Sequence, residues 1–200
     1  MRQEFISAIQ KNQQTFGLDL QQETVAKLAD YFDIVMQANP LLHLVAPCPP
    51  EEFARRHIFE SLTLLEFFPE GTGIVDVGAG AGLPSIPCLV ARDDLRGALI
   101  ESKEKKANFL KSTCDQLGLT ERVLVINKQF SEVPAPNMQF VTSRALDKFI
   151  NNLPRLLRWG KGRRFVLFGG NSMRDALNAK GINFRERLMP LSDQRFLFSF

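Results

Sequence analysis

The chain has 200 residues, 44% of them apolar, and 25 Lys and Arg against 22 Asp and Glu give a formal charge of +3. That length suits one domain with an adequate core and excludes a second catalytic domain, while the mild positive charge permits an RNA partner without requiring one. Cys48, Cys88 and Cys114 lie far apart outside any C-x-x-C pattern, and with only His43 and His57 beside them neither a disulfide framework nor a metal site is expected.

The first third is expected to be helical. Val25, Leu28, Ala29, Phe32, Val35 and Met36 recur at helical spacing, and Asn39-Pro40 is expected to stop that helix. A loop holding Pro47 and Pro49 follows. Pro50 suits the first turn of a further helix with Ala54, Ile58, Leu62 and Leu65 on its apolar face. Residues 1–70 are therefore expected to form a helical cap, and residues 71–200 the core of the same domain. From Gly73 the pattern alternates: strand Ile74 to Val77, helix Ser85 to Arg92, strand Arg96 to Glu101, and a helix from Lys103 to Leu117 that Gly118 ends. Strands at Arg122 to Asn127 and Phe140 to Ser143, a helix through Leu157, a strand at Arg163 to Phe168 and a short helix near Ser172 to Ala179 continue it. The last two strands, about Phe184 to Leu188 and Arg195 to Phe200, have no long helix between them and should form an antiparallel hairpin at the edge of a mostly parallel, seven-stranded α/β sheet. The opening Met-Arg-Gln-Glu lacks an apolar run and no window could cross a bilayer, so a cytoplasmic protein is expected.

The informative stretch is Ile74-Val75-Asp76-Val77-Gly78-Ala79-Gly80-Ala81-Gly82-Leu83-Pro84, an apolar run with an acid that enters a glycine turn. A dinucleotide site would read G-x-G-x-x-G, but here Leu83 stands at the third glycine position and Asp76 would face a pyrophosphate unfavourably. The ligand expected near Asp76, Gly78, Gly80, Gly82 and Leu83 is therefore cationic, and S-adenosylmethionine, with its sulfonium and ammonium, fits. Glu101 ends the next strand where such folds place an acid on the ribose hydroxyls. Because ligands in open α/β sheets bind outside the carboxyl ends of the strands, Asp76, Glu101, the loop after Asn127 and Ser143-Arg144 should line one crevice.

Ordered motifs across most of the chain resemble the GidB (RsmG) methyltransferases, which methylate guanine N7 in small-subunit (16S) ribosomal RNA. Arg56-His57-Ile58-Phe59-Glu60-Ser61-Leu62 resembles R-H-x-x-D-S-L, with Glu60 conservatively replacing the family's Asp. Asp76 to Pro87 is similar to D-V-G-x-G-x-G-L-P-G-I-P, Glu101-Ser102 with Lys105 and Phe109-Leu110 resembles D-S-x-x-K-R-x-x-F-L, and Ser143-Arg144-Ala145 sits at the family's S-R-A. The resemblance implies a Rossmann-like class I S-adenosylmethionine-dependent methyltransferase fold and cofactor contacts from Gly78, Leu83 and Arg144. Counted back without gaps, it puts the adenine-side pair on Gln129 and Phe130. The chain departs at Ala38-Asn39 and His43-Leu44-Val45, where the family carries W-N and N-L-T, and at Gly169-Gly170, where it carries Lys-Gly.

Methyl transfer from a sulfonium is an in-line displacement in which positioning is the main task, and guanine N7 carries a free lone pair at neutral pH, so no general base is expected. Arg144 should hold the cofactor carboxylate or guanine O6, because N7 must stay open. His57 either packs its helix or, with Arg56, contacts RNA. Lys103, Lys105, Lys106 and Lys111 form one basic cluster, and Arg155, Arg158, Lys161, Arg163 and Arg164 another. Solvated helix faces look the same, but two clusters flanking the crevice would make a phosphate-gripping rim. The expected substrate is small-subunit ribosomal RNA or the 30S particle, met by a monomer without membrane or metal. The alternatives are a small-molecule methyltransferase and an RNA-binding member with a cofactor pocket and little turnover.

Overall fold

Ile74, Val75 and Val77 form an apolar run interrupted only by Asp76, because β1 (Gly73–Val77) lies at the middle of a sheet covered on both faces, where every residue of the strand is buried. A computed structural model describes residues 1–144 and 149–200; Ala145 of the S-R-A motif lies outside the described residues. The other strands are β2 (Arg96–Ile100), β3 (Val123–Ile126), β4 (Phe140–Ser143), β5 (Arg164–Gly169), β6 (Arg185–Leu188) and β7 (Phe196–Ser199). They form one seven-stranded sheet in the order β3-β2-β1-β4-β5-β7-β6. The first five run parallel, and β7 is antiparallel to both β5 and β6, as the expected edge hairpin requires.

Alternate strand residues feed two cores. Ile74, Leu99, Phe140 and Val166 pack beneath the N-terminal helices and beneath α5 (Ser85–Ala91) and α6 (Glu104–Gln116), which follow β1 and β2. Val75, Val77, Ala98 and Val141 pack instead against α7 (Phe149–Trp159) and α8 (Asn171–Ala179), which follow β4 and β5. The connections leave for opposite faces between β1 and β4, and that switch opens a crevice at the carboxyl ends of these strands.

The N-terminal residues build α1 (Arg2–Asn12) and α2 (Gln22–Leu42). Phe5 stacks on Phe32 with ring centroids 4.6 Å apart, and Phe53 meets both edge-on. Asn39-Pro40 does not stop α2, contrary to expectation. Pro40 lies in the last turn, where a missing N–H forfeits little, and the helix ends at His43 in the left-handed region at φ 47, its N–H bonded to Asn39 O at 3.0 Å. The expected helix from Pro50 forms with changing pitch: α3 (Pro50–Phe53), a wide π turn (Ala54–Phe59), α4 (Glu60–Leu62) and a 3₁₀ turn (Thr63–Phe67). Wide turns of this kind re-aim side chains and recur at functional sites. Here the turn carries Arg56 and His57.

Candidate cofactor-binding site

The loop from β1 to α5 turns on glycines with positive φ, Gly78 at 76°, Gly80 at 54° and Gly82 at 93°. It is tied to the next strand by Gly78 N–H and Ala79 N–H, both donating to Ile100 O at 2.9 and 3.1 Å. From α2 the buried Tyr31 hydroxyl donates to Ala81 O at 2.9 Å, so the cap fixes the loop from behind. Ser143 Oγ donates to Val77 O at 2.7 Å from the β4 side.

In front of this loop lies a cavity of about 320 Å³. Its floor is Gly78, Ala79, Gly80, Ala81 and Leu83; one wall is Glu101, Ser102, Lys103 and Lys106; the other is Arg144 and His57, with Leu44 and Val45 closing over it. Ligand pockets are of this size and build, apolar surfaces with a few fixed polar groups. Both Glu101 oxygens are engaged, one accepting from Gly80 N–H at 3.0 Å and the other from Lys103 N–H at 2.7 Å, which fixes the carboxylate while leaving it further lone pairs. Asn127 reaches back to Glu101 O and Ser102 O at 3.0 and 3.3 Å, and so shapes the wall without facing the cavity.

Asp76 lies elsewhere than the sequence reading placed it. Its carboxylate is wholly buried, does not line the cavity, and neither oxygen has a hydrogen-bond partner among the described residues. Burial pushes this carboxyl up to about 7, against the opposing pull of the Ser85 hydroxyl and amide, which lie near but outside bonding geometry. The residue thus sits away from the cavity lining, its charge weakened by burial, and the expected guard charge does not line the ligand cavity. Gly82 is also absent from the lining: a Cβ there would strike Ile86 and meet Leu110, so this glycine lets the loop close on α5 and α6.

Arg144 follows β4 directly and is largely buried, its side chain 16% exposed. Its Nη2 donates to Arg56 O at 2.6 Å and to His57 Nδ1 at 3.1 Å, its guanidinium lies 5.6 Å from the Phe168 ring centre, and its Nη1 is buried without a partner among the described residues. A guanidinium only donates, so His57 Nδ1 accepts and the ring proton sits on Nε2. Burial first, then the charge of Arg144, lowers His57 to about 3, keeping the ring neutral at physiological pH.

Other expected residues are not brought to the cavity. Phe130 is buried on the opposite face against Trp159, with centroids 5.6 Å apart, because the β3–β4 connection has only a 3₁₀ turn (Phe130–Glu132) and this ring fills the space under α7. Gln129 is an exposed cap of that turn. The Arg56 side chain turns away to Glu52 at 2.7 Å. Lys105 lies in a groove between α2 and α6, whereas Lys103 and Lys106 line the cavity.

The second basic cluster does not flank the crevice. Because α7 runs antiparallel to the strands, Arg155 and Arg158 lie toward its far end beside Trp159, and Arg163 and Arg164 sit where β5 begins. Arg163 there donates to Ala135 O and Pro136 O, and Arg164 lies over Phe140. Residues that periodicity could not single out, Tyr31, Leu44 and Val45, do build the site. A signal for the last two existed in Asn39, whose side chain accepts from Leu44 N–H and Val45 N–H at 2.8 and 3.0 Å and pins them over the cavity.

Comparison with known proteins identifies the family and the fold. The GidB family, described as rRNA small subunit methyltransferase G, matches residues 24–187. Proteins named Ribosomal RNA small subunit methyltransferase G from Sorangium cellulosum and Anaeromyxobacter dehalogenans are 34% identical over 145 residues and 32% identical over 182 residues. These alignments cover 69% and 88% of this chain, and it spans 60% of the length of the first relative and 84% of the second. A SAM dependent methyltransferase from Aquifex aeolicus superposes with a TM-score of 0.58 at 18% identity, covering 85% of this chain and 97% of that one, a likeness of fold. With the family match extending over both the cap and the nucleotide-type sheet, the chain belongs to the GidB family, rRNA small subunit methyltransferase G.

Proposed function

We propose that this chain binds S-adenosylmethionine in the switch-point cavity and methylates guanine N7 in small-subunit ribosomal RNA. One observation carries the reading: the cavity opposes a fixed carboxylate, Glu101, to a largely buried guanidinium, Arg144, whose Nη1 has no acceptor among the described residues. Those two groups fit the two ends of this cofactor, the ribose hydroxyls at Glu101 and the amino-acid carboxylate at Arg144, and no anion-binding glycine cradle of G-x-G-x-x-G type competes. When bound, the cofactor supplies a methyl group on a sulfonium.

The chain's own groups bind, orient and exclude water. Leu44, Val45 and Leu83 provide apolar walls, and Lys103 and Lys106 place cations at the mouth for RNA phosphates. No cavity group is suited to act as a general base: His57 stays neutral with a value of about 3 and Nδ1 committed to Arg144, and guanine N7 needs no base. Among the described residues no helix is long and apolar enough to cross a membrane, and no cluster of His, Cys, Asp or Glu could hold a metal ion. The working form in this reading is a cytoplasmic monomer.

Labelled-methyl transfer to unmethylated 30S subunits, to purified ribosomal RNA and to small acceptors tests the proposal. Label in the ribosomal RNA, released as 7-methylguanine, is expected. Turnover confined to small acceptors, or cofactor binding without transfer, would overturn it. RNA affinity should fall steeply with salt, and replacing Lys103 or Lys106 by Ala should each lower the logarithmic salt slope by about one.

A further inference from the structure

Glu60 is a charged side chain only 1% exposed, and it lies between two arginines that flank β4 and β7, strands separated in the sheet by β5 alone. Its Oε1 accepts from Arg195 Nε and Nη2, both at 2.8 Å, and its Oε2 faces Arg144 Nη2 at 3.6 Å. Glu60 opens α4 directly after the wide turn, Arg144 follows β4 and Arg195 precedes β7. One carboxylate between two guanidiniums leaves a net charge of one positive unit, and neutral His57 adds none. Arg144 Nη2 is already spent on Arg56 O and His57 Nδ1, so the surplus rests on Nη1, which is buried and has no acceptor among the described residues, on a residue that lines the cavity. Such a site takes a monoanion, and a carboxylate matches its donors.

We infer that Glu60 is a positioning residue: with Arg195 it holds the Arg144 guanidinium so that Nη1 receives the carboxylate of the cofactor's amino-acid part. This rests on the reading that the cavity binds S-adenosylmethionine. It makes the β7 end of the sheet, which does not line the cavity, part of the cofactor site. Removing the Glu60 charge has two opposing effects. It takes a negative charge away from the ligand, but it also leaves the largely buried Arg144 beside the partly exposed Arg195 without the carboxylate between them, and the two like charges then move apart. Orientation decides the outcome, because a charge-assisted hydrogen bond is lost once Nη1 moves out of reach.

Calorimetry with two adenosine ligands tests the inference. S-adenosylhomocysteine carries the carboxylate, whereas 5′-methylthioadenosine has the same nucleoside and thioether without it. In Glu60→Gln the dissociation constant for S-adenosylhomocysteine should rise by about tenfold or more, while that for methylthioadenosine stays within about twofold. Glu60→Asp, which keeps the charge, should recover most of the loss. If Glu60→Gln fails to fold, Arg195→Gln, which keeps Glu60 paired with Arg144, should show the same selective loss at a smaller size. Equal weakening of both ligands would reduce Glu60 to a structural role, and no weakening, or tighter S-adenosylhomocysteine binding, would also overturn the inference. A parent protein that binds neither ligand would instead overturn the cofactor reading itself.

Discussion

Two glycines of one turn, Gly80 and Gly82, should respond to the same added methyl group in opposite ways. At Gly82 the backbone has φ +93, and a Cβ would lie inside the Ile86 side chain and 3.2 Å from Leu110 Cδ2. The strained backbone costs about 1–2 kcal/mol and the overpacking roughly 1–3 kcal/mol, so Gly82→Ala should lose about 2–5 kcal/mol. For a domain of this size that is a fall in melting temperature of roughly 4–20 °C. At Gly80 the φ of +54 lies in the left-handed basin, and the nearest atom to a Cβ is Gly78 O at 3.8 Å. Gly80→Ala should therefore cost only about 1 kcal/mol in stability. Gly80 lines the cavity and Gly82 does not, so the Gly80 methyl should instead weaken S-adenosylhomocysteine binding by about tenfold. Urea denaturation and calorimetry on both variants provide the comparison. A Gly82→Ala protein that melts within about 2 °C of the parent, or a Gly80→Ala protein that proves the less stable, would refute the assignment of one glycine to packing and the other to the ligand.

Asp76 and His57 should give opposite pH signatures. The folded Asp76 value of about 7 lies above the ordinary 3.8, so its contribution to stability is present at low pH and is lost as pH rises through about 7. Asp76→Asn should remove that decline and exceed the parent by on the order of 2 kcal/mol above pH 7; urea midpoints at pH 5 and pH 8 check it, and a parent that gains on the variant over that range would contradict it. His57, lowered to about 3 from 6.5, contributes stability that is present above the unfolded value and lost progressively as pH falls from 6.5 through about 3. Nitrogen NMR should show the Nε2–H form with no titration between pH 5 and 8, and a midpoint near 6.5 would remove the bond drawn to Arg144. Tyr31→Phe leaves the buried Ala81 carbonyl unsatisfied and should cost about 1–2 kcal/mol together with a weaker cofactor site; an unchanged urea midpoint would show that the cap does not brace the loop.

Local sequence determined the scaffold of this protein. The apolar run into Gly78, the glycine turn and Glu101 at the end of β2 are set by near neighbours, because strand burial on both faces, positive φ and strand-to-helix spacing are all written in short windows. The location of the crevice followed from alternating strands and helices. Local windows were silent on where each charge ends up. A strand buried on both faces gives no sign that Asp76 stays out of the cavity lining, and the far end of α7 carried Arg155 and Arg158 away from a crevice they seemed to flank. Arg144, Glu60 and Arg195 meet only after the sheet closes, since Glu60 and Arg195 are 135 positions apart in the chain. A charge takes its partner from whatever the packing brings within a few ångströms, and in this protein that was decided by the tertiary structure.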